Sequence, residues 1–110
     1  ADIYVASRLG SPQINLLPKK ILNITDLPEE ARTIGIRPED IMLNGSSYST
    51  TITGIENLGA DTLLILNFDN HEISSFAELG QTYSLGDELK IEISPKKALF
   101  FNEKDQLISS

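Results

Sequence analysis

The feature that most constrains the fold is a series of short alternating segments separated by turn residues. Residues 89–94 read LKIEIS, in which every second side chain is apolar and the others are polar. A strand with one buried face has this period of two, because successive side chains point to opposite faces. Comparable segments recur along the chain, and we predict strands at 13–17, 33–37, 48–58, 62–68, 71–77, 89–94, 98–101 and 106–108.

Turn residues divide these segments at regular spacing. Asn44 to Ser47 and Gly59 to Asp61 are typical of turns, and Asp69-Asn70 is a candidate two-residue hairpin loop. Many short strands in one small domain favour a closed or nearly closed barrel, since closure removes the sheet edges that pair with other chains. We therefore predict a mainly β fold, a small OB-like β-barrel. The unbroken apolar run Leu63 to Leu66 predicts a strand covered on both faces.

The first residues have a different pattern, which predicts a short N-terminal helix. Asp2 can cap such a helix, and Gly10 suits its end, because glycine readily adopts the left-handed conformation found there. The chain starts with alanine and its only methionine is Met42, which indicates a piece of a longer protein. We expect residues 1–12 to be the end of a helix joining a missing domain, and residues 13–110 to form the OB-like domain.

Composition restricts the classes of function. A chain of 110 residues is one domain's worth. Its net charge of -7 argues against a surface that neutralises nucleic-acid phosphates. It has no cysteine, and therefore no disulfide, thiol nucleophile or thiolate metal site. Its apolar runs are far shorter than the roughly 20 residues of a membrane span, and no signal peptide opens it.

Few residues could carry chemistry. His71, with Asp69 and Glu72 nearby, fits a solvated hairpin turn better than a metal site or a hydrolase base, since a metal site needs several convergent ligands. The glycines are isolated and form no phosphate-binding motif. Phe100-Phe101 near Lys96-Lys97 is a faint nucleic-acid platform in acidic surroundings. We expect no catalytic residue, metal or cofactor in this chain, and no nucleic-acid partner.

The segment TIGIRPEDIM, Thr33 to Met42, interrupts an alternating run with Arg37-Pro38 and two acids. Proline lacks the amide donor and disfavours a helical Arg37, so the strand should end there. A guanidinium beside Glu39 and Asp40 can form a directional latch, or it can contact a ligand or partner. The latch is favoured because paired charges are more often structural. Turns at barrel ends face partners, so the candidate contact loops contain Gly59, Asp61, Gly86 and Asp87.

Four segments together resemble one known family. They are residues 33–41 (TIGIRPEDI), 4–18 with GSP and NLLP, 55–62 (IENLGADT) and 98–102 (ALFFN). In this order they are similar to the C-terminal regulatory region of the ATPase subunits of sugar-type ABC importers, the family of the maltose importer ATPase. The combination is specific, although each short match alone is weak. Asn102 stands where the family usually has aspartate.

The resemblance implies a transport-associated OB (TOBE) fold with a non-catalytic role. In that family the nucleotide sites precede this region, so ATP and magnesium would bind in a missing ATPase domain, which would also contact the membrane permease. Two regulatory domains are expected to touch each other and hold the dimer, and some members bind a regulatory protein. The implied location is the cytoplasm, at the inner face of the membrane, with sugars or related solutes transported.

Two other functions stay open. Related barrels in molybdate-type systems bind oxyanions, so the chain could be a barrel that senses an oxyanion or a sugar. An OB module that binds nucleic acid is disfavoured, since its groove would have to be basic and this chain is acidic.

Overall fold

The computed structural model describes residues 13–25 and 27–108. The helix predicted within residues 1–12 lies outside these ranges. The described part of the chain is mainly β. Its strands are β1 Asn15–Pro18, β2 Thr33–Ile36, β3 Ile41–Asn57, β4 Thr62–Phe68, β5 His71–Phe76, β6 Glu88–Ile93 and β7 Leu99–Phe101, with short 3-10 turns at Lys19–Ile21, Pro38–Asp40 and Pro95–Lys97.

The strands form two antiparallel sheets in two compact units. The first unit ends at Arg37 and resumes at Pro95, and its sheet has the order β1-β2-β7. The second unit, Pro38–Ser94, holds a sheet of order β5-β4-β3-β6. The prediction of one closed barrel is therefore wrong, because neither sheet closes on itself. Pro38 and Pro95 stand at the two boundaries, and each begins a 3-10 turn, where its missing amide interrupts no strand ladder.

Apolar side chains on β1, β2 and β7 form the core of the first unit. Phe101 is fully buried, and Gly35 of β2 lies against it. A Cβ added at Gly35 would lie 3.1 Å from the Phe101 ring and 3.0 Å from Ile14. Glycine therefore lets both side chains pack directly over the middle of β2. The other buried apolar residues of this unit are Leu17, Leu22, Ala31, Ile34 and Ile36.

Asn102 organises the turn that follows β7. Its Oδ1 accepts hydrogen bonds from the backbone N–H of Lys104 and Gln106, at 2.8 and 3.0 Å, and its Nδ2 donates to Gln106 Oε1 at 3.2 Å. Asp105 completes the turn with φ of 60°. This is the local side-chain-to-backbone bonding that makes asparagine a turn former. Both the oxygen and the nitrogen of the Asn102 side chain thus take part in the turn. The last strand predicted, 106–108, is reduced to a bridge between Phe101 and Leu107.

β3 is the longest strand and carries two irregularities. Leu43 and Tyr48 both pair with Ile91, so the residues between them bulge out of the ladder. Gly45 lies in this bulge, where an added Cβ would be 2.5 Å from the Ile91 carbonyl carbon. The turn predicted at 44–47 therefore lies inside a strand that begins at Ile41. The turn-forming residues produce a bulge because the chain continues along the same partner strand.

The second sheet coils so that its outer strand approaches the start of β3. Ser75 of β5, fully buried, donates its hydroxyl to the Ile41 carbonyl oxygen at 3.4 Å. The rings of Tyr48 and Phe68 pack edge to face with centroids 5.3 Å apart. Leu63 and Leu64 point to opposite faces and are both buried, which confirms the prediction for β4.

Candidate contact surface

The candidate latch residues flank Pro38: Arg37 precedes it, and Glu39 and Asp40 follow it. Arg37 follows the last residue of β2 and is exposed. Pro38 is buried at the start of the 3-10 turn, while Glu39 is exposed and Asp40 is half-buried. The strand therefore ends just before Arg37, close to the predicted boundary. Exposure of the guanidinium leaves its donors open to water or to a partner.

The loop with Gly59 and Asp61 closes the hairpin between β3 and β4. The Leu58 N–H donates to the Asp61 carbonyl at 2.8 Å, and the Gly59 N–H donates to Asn57 Oδ1 at 2.9 Å. Gly59 has φ of 93°, a left-handed conformation that glycine adopts without a steric penalty. The loop is exposed and held by its own hydrogen bonds, so it presents a defined surface.

The loop with Gly86 and Asp87 is anchored to the middle of β3. The Gly86 N–H donates to the Ile52 carbonyl at 2.8 Å, and the Ile52 N–H donates to the Asp87 carbonyl at 2.9 Å. Asp87 also accepts the Ser84 N–H at 3.0 Å through its carboxylate. The two candidate loops thus meet β3 at different points, Ile52 for one and Asn57 for the other. At about 3.3 Å per residue, these points are roughly 17 Å apart.

The end of the β3–β4 hairpin extends past β6. Pairing of β3 with β6 ends at Thr51 and Glu88, whereas pairing with β4 continues to Asn57 and Thr62. Among the described residues, no strand pairs with the outer edge of β3 from residue 53 to 57. Such an edge presents free N–H and C=O groups, which are a template for another chain.

Two apolar side chains on this hairpin end were missed from the sequence. Ile55 is 41% exposed and Leu58 is 50% exposed. The strand pattern places isoleucines of β3 in the core, and this holds for Ile52, which is buried. The bulge at Thr53 puts Ile55 on the same face as Ile52. Ile55 is nevertheless exposed, because the pairing of β6 with β3 ends before this part of the strand. We call residues 53–61 the hairpin end, and it combines a free strand edge, exposed apolar side chains and Asp61.

The residues considered for catalysis, metal binding or nucleic-acid binding have contacts that are typical of structural residues. His71 begins β5 after the two-residue Asp69-Asn70 turn, whose φ angles of 49° and 64° confirm the predicted hairpin. His71 Nδ1 lies 2.8 Å from the Asp69 carbonyl oxygen, to which an Nδ1–H can donate. Phe101 is buried in the core of the first unit and cannot stack on a base. Within the described ranges, no three His, Asp or Glu side chains cluster as metal ligands.

No helix in the part of the chain that the structure describes has the length and apolar character needed to cross a membrane.

Comparison with known proteins places the chain in context. Residues 34–101, more than half of the chain, match the family described as TOBE domain. A protein of Mycoplasma pneumoniae is 25% identical over 119 aligned positions, and one of Mycoplasma genitalium is 26% identical over 117. Both are named "Putative ABC transporter ATP-binding protein". Each alignment covers 93% of this chain and 20% of the relative, so the chain spans about a fifth of the length of these proteins.

Proposed function

We propose that this chain, which belongs to the TOBE domain family, is the non-catalytic regulatory and dimerisation domain of the ATP-binding subunit of an ABC importer. The match of residues 34–101 to the family carries the proposal. The names of the two mycoplasma relatives support an ATP-binding parent protein. Since the chain spans about a fifth of those relatives, the parent's nucleotide site would lie in residues outside this chain.

The substrate class and the partners are proposed from the resemblance of the GIRPED region to the ATPase subunits of sugar-type ABC importers. The transported substrates would be sugars or related solutes, and the regulatory domain would extend from residue 13 to residue 110. ATP and magnesium would bind in the ATPase domain, which would contact the permease at the cytoplasmic face of the membrane. A second copy of the subunit, and in some cases a regulatory protein, would contact this domain.

The hairpin end supports a role in contact between subunits. Its free strand edge and the exposed Ile55 and Leu58 can be covered by another protein, which removes apolar surface from water. The loop hydrogen bonds at Gly59 and Asp61 hold this surface in one conformation, which lowers the entropy cost of association. A partner that binds one arrangement of the subunits better than another can shift the equilibrium by that difference in affinity.

The replacement Leu58→Lys tests this surface. We expect it to weaken self-association of the subunit about tenfold or more, because a buried apolar contact becomes a charged side chain. The matched control is Met42→Lys, since Met42 is also 50% exposed and lies at the opposite end of β3. Sedimentation equilibrium of both variants gives the comparison. Equal association constants for Leu58→Lys and Met42→Lys would exclude the hairpin end as the dimer contact.

Arg37 provides a second test, and its exposure favours partner contact over an internal latch. An exposed guanidinium contributes little to folding, so we expect Arg37→Ala to change the free energy of unfolding by less than about 0.5 kcal/mol. Association with a second subunit or a regulator should weaken. Thermal unfolding and a binding assay on the same protein distinguish the two roles. A clear loss of stability with unchanged association would support the latch instead.

A further inference from the structure

A pocket of about 530 Å³ lies beside the 3-10 turn that follows β1. Its volume is within the range of about 300 to 1,000 Å³ that is typical of small-molecule sites. All its lining residues belong to the first unit: Pro18, Lys19, Lys20, Leu22, Ile24 and Arg32. Half of these side chains are cationic and half are apolar. No carboxylate of the described residues lines it.

Two of the cations lie opposite each other where the β1–β2 ladder ends. Pro18 pairs with Thr33, and beyond this pair the Lys19 N–H donates to the Arg32 carbonyl at 2.8 Å. Like charges opposite each other in an antiparallel pair destabilise it. An anion between the side chains of Lys19 and Arg32 would turn this repulsion into two attractions. Lys20 adds a third positive charge to the same pocket.

The guanidinium of Arg32 is already positioned. Its Nη1 donates to the carbonyl oxygens of Glu29 and Ala31, both at 3.0 Å. These bonds use one nitrogen of the guanidinium, and a guanidinium has five N–H donors in a fixed fork. The remaining donors match the two oxygens of a carboxylate or the oxygens of a phosphate. Because the backbone orients the side chain in advance, binding costs less conformational entropy.

The apolar side chains of the pocket favour a ligand that carries an apolar group as well as a negative charge. Leu22 is 8% exposed, and Pro18 and Ile24 are half-buried. A small inorganic anion would leave this surface in contact with water. A second cavity, of about 460 Å³, shares Arg32 and also contains Lys104, but three carboxylates line it and repel anions: Glu29, Glu30 and Glu103. The two sides of Arg32 therefore differ in charge, and only the first suits an anion.

We propose that this pocket binds a small amphiphilic anion, a carboxylate or phosphate carried on an apolar group. The anionic head lies between Lys19 and Arg32, with Lys20 near it, and the apolar group covers Leu22 and Ile24. The site is built from residues that the contact surface on the β3–β4 hairpin does not use. It therefore stands whether or not the chain proves to be a dimerisation domain.

Titration of the 110-residue chain with octanoate tests the proposal. Acetate, which has the charge without the apolar chain, and 1-octanol, which has the apolar chain without the charge, are the controls. Backbone amide shifts in NMR spectra report the site. We expect saturable shifts at residues 19–24 and 32 with octanoate, and affinities for acetate and octanol weaker by about tenfold or more. Saturation by acetate at the same concentration as octanoate, or by octanol alone, would overturn the proposal.

A matched pair of variants locates the site. Lys19→Glu with Lys20→Glu should weaken octanoate binding by about tenfold or more, because both charges at the pocket reverse. Lys96→Glu with Lys97→Glu makes the same change in net charge within another Pro-Lys-Lys 3-10 turn of the same unit, and should leave binding unchanged. Equal loss in both double variants would show a general charge effect and exclude the pocket. Ile24→Ser, which keeps all three cations, should also weaken octanoate and leave acetate unaffected.

Discussion

Replacing Gly45 by alanine is expected to lower the free energy of unfolding by about 3 kcal/mol, the upper part of the range for side chains forced into packed positions. The added Cβ would lie 2.5 Å from the Ile91 carbonyl carbon and 2.6 Å from Glu92 Cβ. Most of the obstruction is backbone of β6, which cannot rotate away as a side chain can. β3 and β6 would have to separate at the bulge, where Ser47 also donates to the Glu92 carboxylate at 2.5 Å.

Gly59→Ala is the matched control for this prediction. Gly59 has nothing within 4 Å of an added Cβ, but its φ is +93°. Gly59→Ala is therefore expected to lower the free energy of unfolding by about 1 to 2 kcal/mol, through backbone conformation alone. Chemical denaturation of both variants, with equal slopes in denaturant, gives the two free energies. If Gly45→Ala were no more destabilising than Gly59→Ala, the close approach of β3 to β6 at this bulge would be wrong.

Replacing Phe101 by alanine is expected to cost about 3 to 5 kcal/mol, the range measured for buried aromatic side chains. Phe101 is fully buried, with 0% of its surface exposed to solvent, and its ring packs across Gly35 of β2. Its backbone carbonyl also accepts the Arg32 N–H at 2.8 Å. The loss of the ring leaves a cavity beside a glycine, which has no side chain to fill it.

The neighbouring Phe100→Ala provides the comparison, because Phe100 is only half-buried. We expect it to cost less than half as much as Phe101→Ala, in proportion to the smaller apolar area it removes from water. Hydrogen exchange adds a second readout, since the amides of β2 should lose protection in Phe101→Ala. Similar free energies for the two variants would contradict the assignment of Phe101 to the core of the first unit.

Local structure could be predicted from the sequence where the physical cause is local. The alternation of residues 89–94 and the Asp69-Asn70 turn each depend on the residues in the segment, and β6 and the β4–β5 hairpin lie within one residue of prediction. The bulge at Gly45 could not be predicted in this way. A glycine in a turn-like segment has the same local preferences whether it ends a strand or lets a partner strand pass close to it.

The arrangement of the strands depended on contacts between distant residues. The pairing of β7 with β2, and the Ser75 hydroxyl on Ile41, join segments far apart in the chain. A mainly β fold follows from the strand pattern alone, but two sheets and one closed barrel have the same pattern. For the contact surface, turn residues indicated the loop of Gly59. The exposure of Ile55 and Leu58 depended on the register in which β6 pairs with β3, which no local pattern specifies.

The most direct test of the central claim compares the ATP-binding subunit that we propose carries this chain with the same subunit lacking residues 13–110. Nucleotide binding and sedimentation equilibrium are measured on both. We predict that the shortened subunit binds ATP with unchanged affinity and self-associates about tenfold or more weakly, since the domain contributes contacts and no chemistry. Loss of ATP binding on deletion, or self-association equal to that of the intact subunit, would contradict the account.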